Sequence, residues 1–166
     1  MKVAIKNCDY FLRAASASDV PALRVLVNSA YKELSDMGLN YTATYQDEEK
    51  TLEKINKGTA FVLLKESEIV ATVLFSEENH FTKKHTAYIS QFAVNPVLKK
   101  SGLGTFLMNY CEDLALQKNY QGVQLDTAIP AKHLVQCYQK RGYIIVGETH
   151  WEGKTYRSYI FEKSFN

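Results

Sequence analysis

At 166 residues, 46% of them apolar, the chain is long enough for one well-buried core and short for two domains. Twenty Lys and Arg face 18 Asp and Glu, a net charge of +2 that is too balanced for a protein whose main partner is bulk nucleic acid. Cys8, Cys111 and Cys137 are odd in number and widely spaced, which argues against a disulfide framework or a thiolate zinc site; with no leader-like or spanning apolar run, a soluble, unprocessed, cytoplasmic protein is expected.

Tyr10 to Ala14 (YFLRA) reads as a short strand, and Ser18-Asp19 with Pro21 as the start of a helix running to Gly38, with Leu23, Leu26, Val27, Ala30 and Leu34 on its apolar face. After a tyrosine-rich loop (LNYTATY), Asp47 to Lys57 predicts a charged helix whose inward side is Leu52 and Ile55. Thr59 to Lys65 and Ile69 to Phe75 are β-branched and aromatic runs joined by Glu66-Ser67-Glu68, a hairpin signal, and Thr86 to Val94 extends the antiparallel set. Leu103 to Tyr120 then changes period, with Leu103, Phe106, Leu107, Tyr110, Cys111, Leu114 and Ala115 on one helical face, before a strand at Gly122 to Thr127. A strand, helix, strand unit implies parallel pairing there. Ala131 to Arg141 is a further helix, stopped by Gly142, and Tyr143 to Glu148 and Thr155 to Lys163 are closing strands. The whole is one α/β (α+β) domain over 1–166, a mixed central sheet of about seven strands flanked by about four helices.

The segment from Asn95 to Gly104, NPVLKKSGLG, places two glycines where a helix opens. Glycine permits close backbone approach, and a helix N-terminus offers unpaired N–H groups and a positive dipole end, so the turn suits an anion. A nucleotide loop of the G-x-x-x-x-G-K-[ST] kind does not fit, because Gly104 is followed by Thr105-Phe106. A dinucleotide fingerprint would use Gly102, Gly104 and Asp126, but its third glycine is Leu107 and seven residues separate Val94 from Gly102. The third candidate is the pyrophosphate of coenzyme A, held by successive backbone N–H groups and the helix N-terminus.

Two stretches in order, FAVNPVLKKSGLG from Phe92 to Gly104 and CYQKRGY from Cys137 to Tyr143, resemble the core motifs of the GNAT N-acetyltransferase family, and the likeness extends over nearly the whole chain. The resemblance implies the GNAT fold with a splayed parallel crossover, and direct transfer of the acetyl group of acetyl-CoA to a primary amine of a small molecule or peptide. It implies that the backbone of Phe92, Ala93 and Val94 holds the pantetheine arm, that Lys99, Lys100, Ser101, Gly102, Leu103, Gly104 and Thr105 hold the pyrophosphate, and that Tyr138 is the general acid beside the sulfur. A side chain at Gly104 is expected to fill the space where the pyrophosphate meets the backbone. Three departures stand out. Lys99 replaces the usual Arg or Gln, Ala131 replaces a frequent Asn, with His133 as its substitute contact, and Tyr88 sits where some members carry a glutamate base.

Glu77, Glu78 and Asp126 are the carboxylates left to act as base through a water. Tyr31, Tyr41, Tyr45, Tyr88 and Trp151 are candidates to wall an acceptor pocket between the first two helices and the late strands, and Glu33 or Asp36 to attract an amine. Cys137 reads as a small buried hydrophobe, and the four histidines show no metal-ligand spacing. Nucleic acid and membrane are not expected as partners, and a homodimer is left open. Two alternatives stand beside the acetyltransferase: a nicotinamide-dependent oxidoreductase using Gly102 and Gly104, and a non-catalytic acyl-CoA-binding sensor, which the missing carboxylate base keeps alive.

Overall fold

The computed structural model describes residues 1–82 and 85–165. The chain opens on a hairpin, β1 (Lys2–Ile5) and β2 (Cys8–Ala14), whose Lys6-Asn7 turn has positive φ at both residues (47° and 65°), the twist-matched geometry of a two-residue hairpin loop. The first strand expected from the sequence starts at Tyr10, and β1 lies ahead of it, unsignalled because KVAI is only four residues long and only its alternate residues are partly covered.

A single turn of 3₁₀ helix leads into α1 (Val20–Ala30). The expected helix to Gly38 is two: at Tyr31 (φ −93°, ψ 0°) the backbone leaves helical geometry before α2 (Lys32–Asp36). This break sets the Tyr31 ring edge-on against Tyr41, at 5.4 Å between centroids. In α3 (Glu48–Ile55), Asp47 caps the start by accepting the Lys50 N–H at 2.8 Å. Leu52, expected inward, is 38% exposed, whereas Thr51 is buried with its hydroxyl donating to the Asp47 carbonyl at 2.6 Å. A satisfied hydroxyl could take the inner position that periodicity assigned to an apolar side chain.

The hairpin β3 (Thr59–Lys65) and β4 (Glu68–Ser76), then β5 (Thr86–Val94), α4 (Leu103–Gln117), β6 (Gly122–Ala128), α5 (Lys132–Lys140), β7 (Ile144–Thr149) and β8 (Ser158–Ser164) follow in the predicted order. Among the described residues the sheet runs β1-β2-β3-β4-β5-β6-β8-β7, eight strands against about seven expected, with five α-helices against about four. Every neighbouring pair is antiparallel except β5 with β6, which α4 connects.

Leu103, Leu107, Met108, Cys111 and Ala115 of α4 are buried in the main core with Phe75, Ile89, Val123 and Phe161 from the sheet. Fully burying a leucine or methionine side chain contributes on the order of 2 kcal/mol, so Leu103, Leu107 and Met108 fix α4 firmly on the sheet. Ala93 of β5 packs instead with Leu26 and Val27 of α1, as strand alternation requires. α5 touches two clusters, Val135 and Tyr138 the main core and Ala131 and Leu134 the cluster of Leu34, Leu39 and Tyr156. Among the described residues no helix is long and apolar enough to cross a membrane.

Candidate active site

The parallel ladder between β5 and β6 is short, pairing Thr86, Ala87 and Tyr88 with Gly122, Val123 and Gln124. Beyond that rung β5 continues to Val94 and β6 to Ala128 without pairing, β6 staying with β8 and β5 with β4. The opening is sharpened by a bulge in β5, where Gln91 and Phe92 lie opposite Val73 alone and Gln91 takes φ +49°. The Asn95 N–H bonds the Val70 carbonyl on β4, so by alternation the N–H groups of Phe92 and Val94 turn toward the opening. Unpaired strand groups of this kind accept an extended, amide-bearing ligand as an extra strand.

The glycine turn lies at the end of this open edge. Gly102 has φ +94° and Lys100 φ +65°, and among the described residues the N–H groups of Lys100, Gly102, Leu103, Gly104 and Thr105 have no acceptor. The Ser101 hydroxyl is buried there and equally without a partner. Five converging N–H groups at the start of a fifteen-residue helix suit a pyrophosphate. Leu103 contributes only backbone, its side chain being wholly buried in the core, while Thr105 is exposed. Gly104 differs from expectation: a Cβ there would lie 3.1 Å from Cζ of Phe92 and 3.8 Å from Cγ2 of Val94, so it would crowd β5 rather than occupy the turn.

The cations around the turn are partly engaged. Lys99 pairs with Glu33 at 2.6 Å, which also removes Glu33 from the acceptor pocket; this contact, with the Lys99 charge behind it, holds the Glu33 carboxyl below its usual range. Lys6, from the first hairpin, donates to the Lys100 carbonyl at 2.9 Å and its chain lies beside Gly102, a contact that sequence separation hid. His133 is exposed on the first turn of α5, and Ala131 is wholly buried in the helix-end cluster.

A cleft of about 1150 Å³ occupies the opening, walled by Tyr31, Tyr41, Tyr45, Tyr88, Phe92, Tyr138 and Trp151 among others. All five aromatic residues expected to wall a pocket meet there, but they are not equivalent. The Tyr41 hydroxyl is committed, accepting the Ala128 N–H at 2.8 Å and sharing a hydrogen bond with Thr127 at 2.9 Å. Tyr138 is held by ring contacts to Tyr143 and Phe161, and its hydroxyl has no partner among the described residues. Burial pushes its pKa upward, so it stays protonated at neutral pH.

Tyr88 and Asp126 come together because the last parallel rung pairs Tyr88 with Gln124, and Asp126 projects from the same face of β6 two residues on. Tyr88 donates its hydroxyl proton to Oδ1 of Asp126 in a short hydrogen bond, and Trp151 donates Nε1–H to Oδ2 at 2.9 Å. Burial and the neighbouring carboxylate raise the Tyr88 pKa well above normal. Of the other candidate carboxylates, Glu78 lines the cleft, Glu77 is tied to Lys118 at 2.7 Å and Asp36 to Lys32 at 2.8 Å on the surface. Cys137, expected buried, is exposed, since the inner face of α5 is given to Tyr138 and Val135.

A profile for the acetyltransferase (GNAT) family matches residues 24–143. The chain is 27% identical over 150 residues to the S-alkylcysteine N-acetyltransferase of Bacillus subtilis (strain 168), covering 87% of this chain and 84% of that protein. It is 27% identical over 143 residues to the S-(2-succino)cysteine N-acetyltransferase of the same organism, with 82% and 85% coverage. The crystal structure of a GNAT-family acetyltransferase from Listeria monocytogenes 4b F2365 superposes with a TM-score of 0.76 at 15% identity, covering 99% of each chain. A splayed sheet, an N–H cradle at the head of α4 and a profile spanning most of the chain agree: the protein belongs to the acetyltransferase (GNAT) family, whose members take their acetyl group from acetyl-CoA.

Proposed function

We propose that the protein acetylates the α-amine of a small, amino-acid-like acceptor by direct transfer, with Tyr138 and the Tyr88–Asp126 pair managing the two protons. The observation that carries this reading is the cleft itself, which brings a tyrosine hydroxyl with no partner among the described residues and a doubly hydrogen-bonded carboxylate to the open edge of β5. The acceptors named for the two Bacillus relatives are S-substituted cysteines, which supports an acceptor of that size.

Bound acetyl-CoA supplies a thioester carbonyl with a thiol leaving group. The turn from Lys100 to Thr105 would hold its pyrophosphate and the exposed N–H groups of Phe92 and Val94 its pantetheine amides. One of those N–H groups is placed to meet negative charge gathering on the carbonyl oxygen. Asp126 draws an acceptor ammonium by charge. The ammonium proton passes to the Tyr88 oxygen as the Tyr88 proton passes to Asp126, which leaves a neutral amine with a free lone pair. The amine attacks the thioester carbonyl to form the C–N bond, the C–S bond breaks as Tyr138 gives its proton to the departing sulfur, and the second amine proton, lost as the amide forms, returns to the Tyr138 oxygen.

Single-turnover acetyl transfer to S-methylcysteine, with acetyl-CoA affinity measured separately, tests both roles. In Tyr138→Phe and in Asp126→Asn the rate is expected to fall by roughly 10²-fold or more with affinity for acetyl-CoA unchanged. A wild-type rate in Tyr138→Phe would reduce that tyrosine to packing, and a wild-type rate in Asp126→Asn would remove the relay.

A further inference from the structure

The cleft carries more positive charge at its outer wall than its neighbours neutralise. Lys50, Lys54 and Lys57 all line it from α3 or just beyond, at i, i+4 and i+7. Lys50 and Lys57 are both engaged by Glu53, at 2.6 and 2.9 Å. Lys54, between them, is half-buried and has no hydrogen-bond or ion-pair partner among the described residues. Across the cleft, Lys154 spends its three donors on the Asn40 carbonyl, the Thr42 hydroxyl and the Tyr45 hydroxyl at 2.9, 2.9 and 3.1 Å, all uncharged acceptors. Its charge is therefore fixed in place without a counter-ion among the described residues.

The acids sharing the cleft do not fill this role. Asp47 caps α3, Asp126 is occupied by Tyr88 and Trp151, and Glu78 and Glu152 are exposed. Burial first, then the neighbouring charges of Lys57, Lys50 and Lys154, hold the Lys54 ammonium below its usual pKa, the response of a cation short of an anion. An anionic group on the bound acceptor would supply it.

We infer that Lys54, backed by the fixed charge of Lys154, is the seat for a carboxylate of the acceptor, so that the pocket selects zwitterionic amino acids and rejects polycationic amines. This rests on the acetyl-transfer reading above only for which end of the acceptor faces Asp126. The two cations and the carboxylate at Asp126 give the cleft charges of both signs, matched to a molecule that carries both an ammonium and a carboxylate.

The test compares S-methylcysteine with its carboxamide, which keeps the amine and removes the negative charge. Two measurements are made: kcat/KM for acetyl transfer, and calorimetric binding to the CoA-saturated protein. The wild type is expected to prefer the acid in both. Lys54→Met should lower kcat/KM for the acid by about 10- to 100-fold, mainly through KM, and leave the carboxamide unaffected, the loss expected for a hydrogen bond to a charged group. Lys54→Arg should restore most of it. An equal loss for acid and carboxamide, or no preference for the acid in the wild type by either measurement, overturns the assignment. Tighter binding of the acid that depends on Lys54, without acetyl transfer to either compound, would uphold the seat and defeat the catalytic reading instead.

Discussion

Single side chains in this cleft are set against the charges nearest to them, and the Lys99–Glu33 pair shows how that affects ligand affinity. Both groups are more than half exposed, 54% and 59%, so the pair contributes only about 0.2–1 kcal/mol to the fold. Beside the N–H cradle, however, Glu33 has two unfavourable effects on an arriving phosphate: it holds the Lys99 cation and adds a negative charge. Glu33→Gln should therefore tighten CoA binding by roughly 2- to 5-fold at low salt, an advantage that shrinks as added salt screens the exposed charges. Calorimetry at two ionic strengths reads it, and unchanged or weaker affinity would show that Lys99 does not reach the phosphates. The sequence suggested the opposite use for Glu33, as an attractor of the acceptor amine. The 66-residue separation from Lys99 is why that reading missed the pair. Gly104 follows the same logic, since only the folded strand reveals that its missing Cβ makes room for Phe92.

Among the elements, α1 is anchored by chemistry at its N-terminal approach. Arg13, near the end of β2, meets Asp19 with both terminal nitrogens, at 2.7 and 2.8 Å, and the Ser16 N–H joins the same carboxylate at 2.8 Å. Asp19 is 8% exposed, and chiefly the Arg13 hydrogen bonds lower its pKa to about 2 from an ordinary 3.8. A folded-state pKa below the unfolded one means stability that is present above about pH 4 and lost as pH falls toward 2. Asp19→Asn should cost about 1–2 kcal/mol at neutral pH, measured by urea unfolding, with the deficit shrinking between pH 4 and 2. The same deficit at pH 7 and pH 3 would place the cost in packing rather than charge. This contact also governs the site indirectly, because α1 leads into the Tyr31 break that lines the cleft.

At the scale of the whole molecule, the order of strands and helices was legible because each element carries its own period and its own stops, and the parallel crossover followed from strand, helix, strand alone. The aromatic wall was legible as residue types, and the glycine turn as a motif. What the sequence did not expose was contact across the fold: Tyr88 on Asp126, Lys6 over Gly102, and Lys54 left without a partner among the described residues. Lys50, Lys54 and Lys57 belong to a stretch that the sequence marks only as a charged helix, and the cleft beside it gives that charge another meaning. The largest feature set by the whole fold is the gap between β5 and β6, held closed at Thr86 to Tyr88 and open beyond. A sheet with an internal open edge is stabilised unevenly, since amides within the ladder open only with the core while those at the gap lack partners. Hydrogen exchange should then separate two classes on one strand. In the free protein the Phe92 and Val94 amides should exchange much faster than that of Ala93, whose N–H turns toward β4, and saturating CoA should slow those two while leaving Ala93 almost unchanged beyond the uniform gain that any bound ligand confers by mass action. Equal protection of all three amides before and after CoA would mean that the ligand does not bind as the missing strand, and that the pantetheine assignment to β5 is wrong.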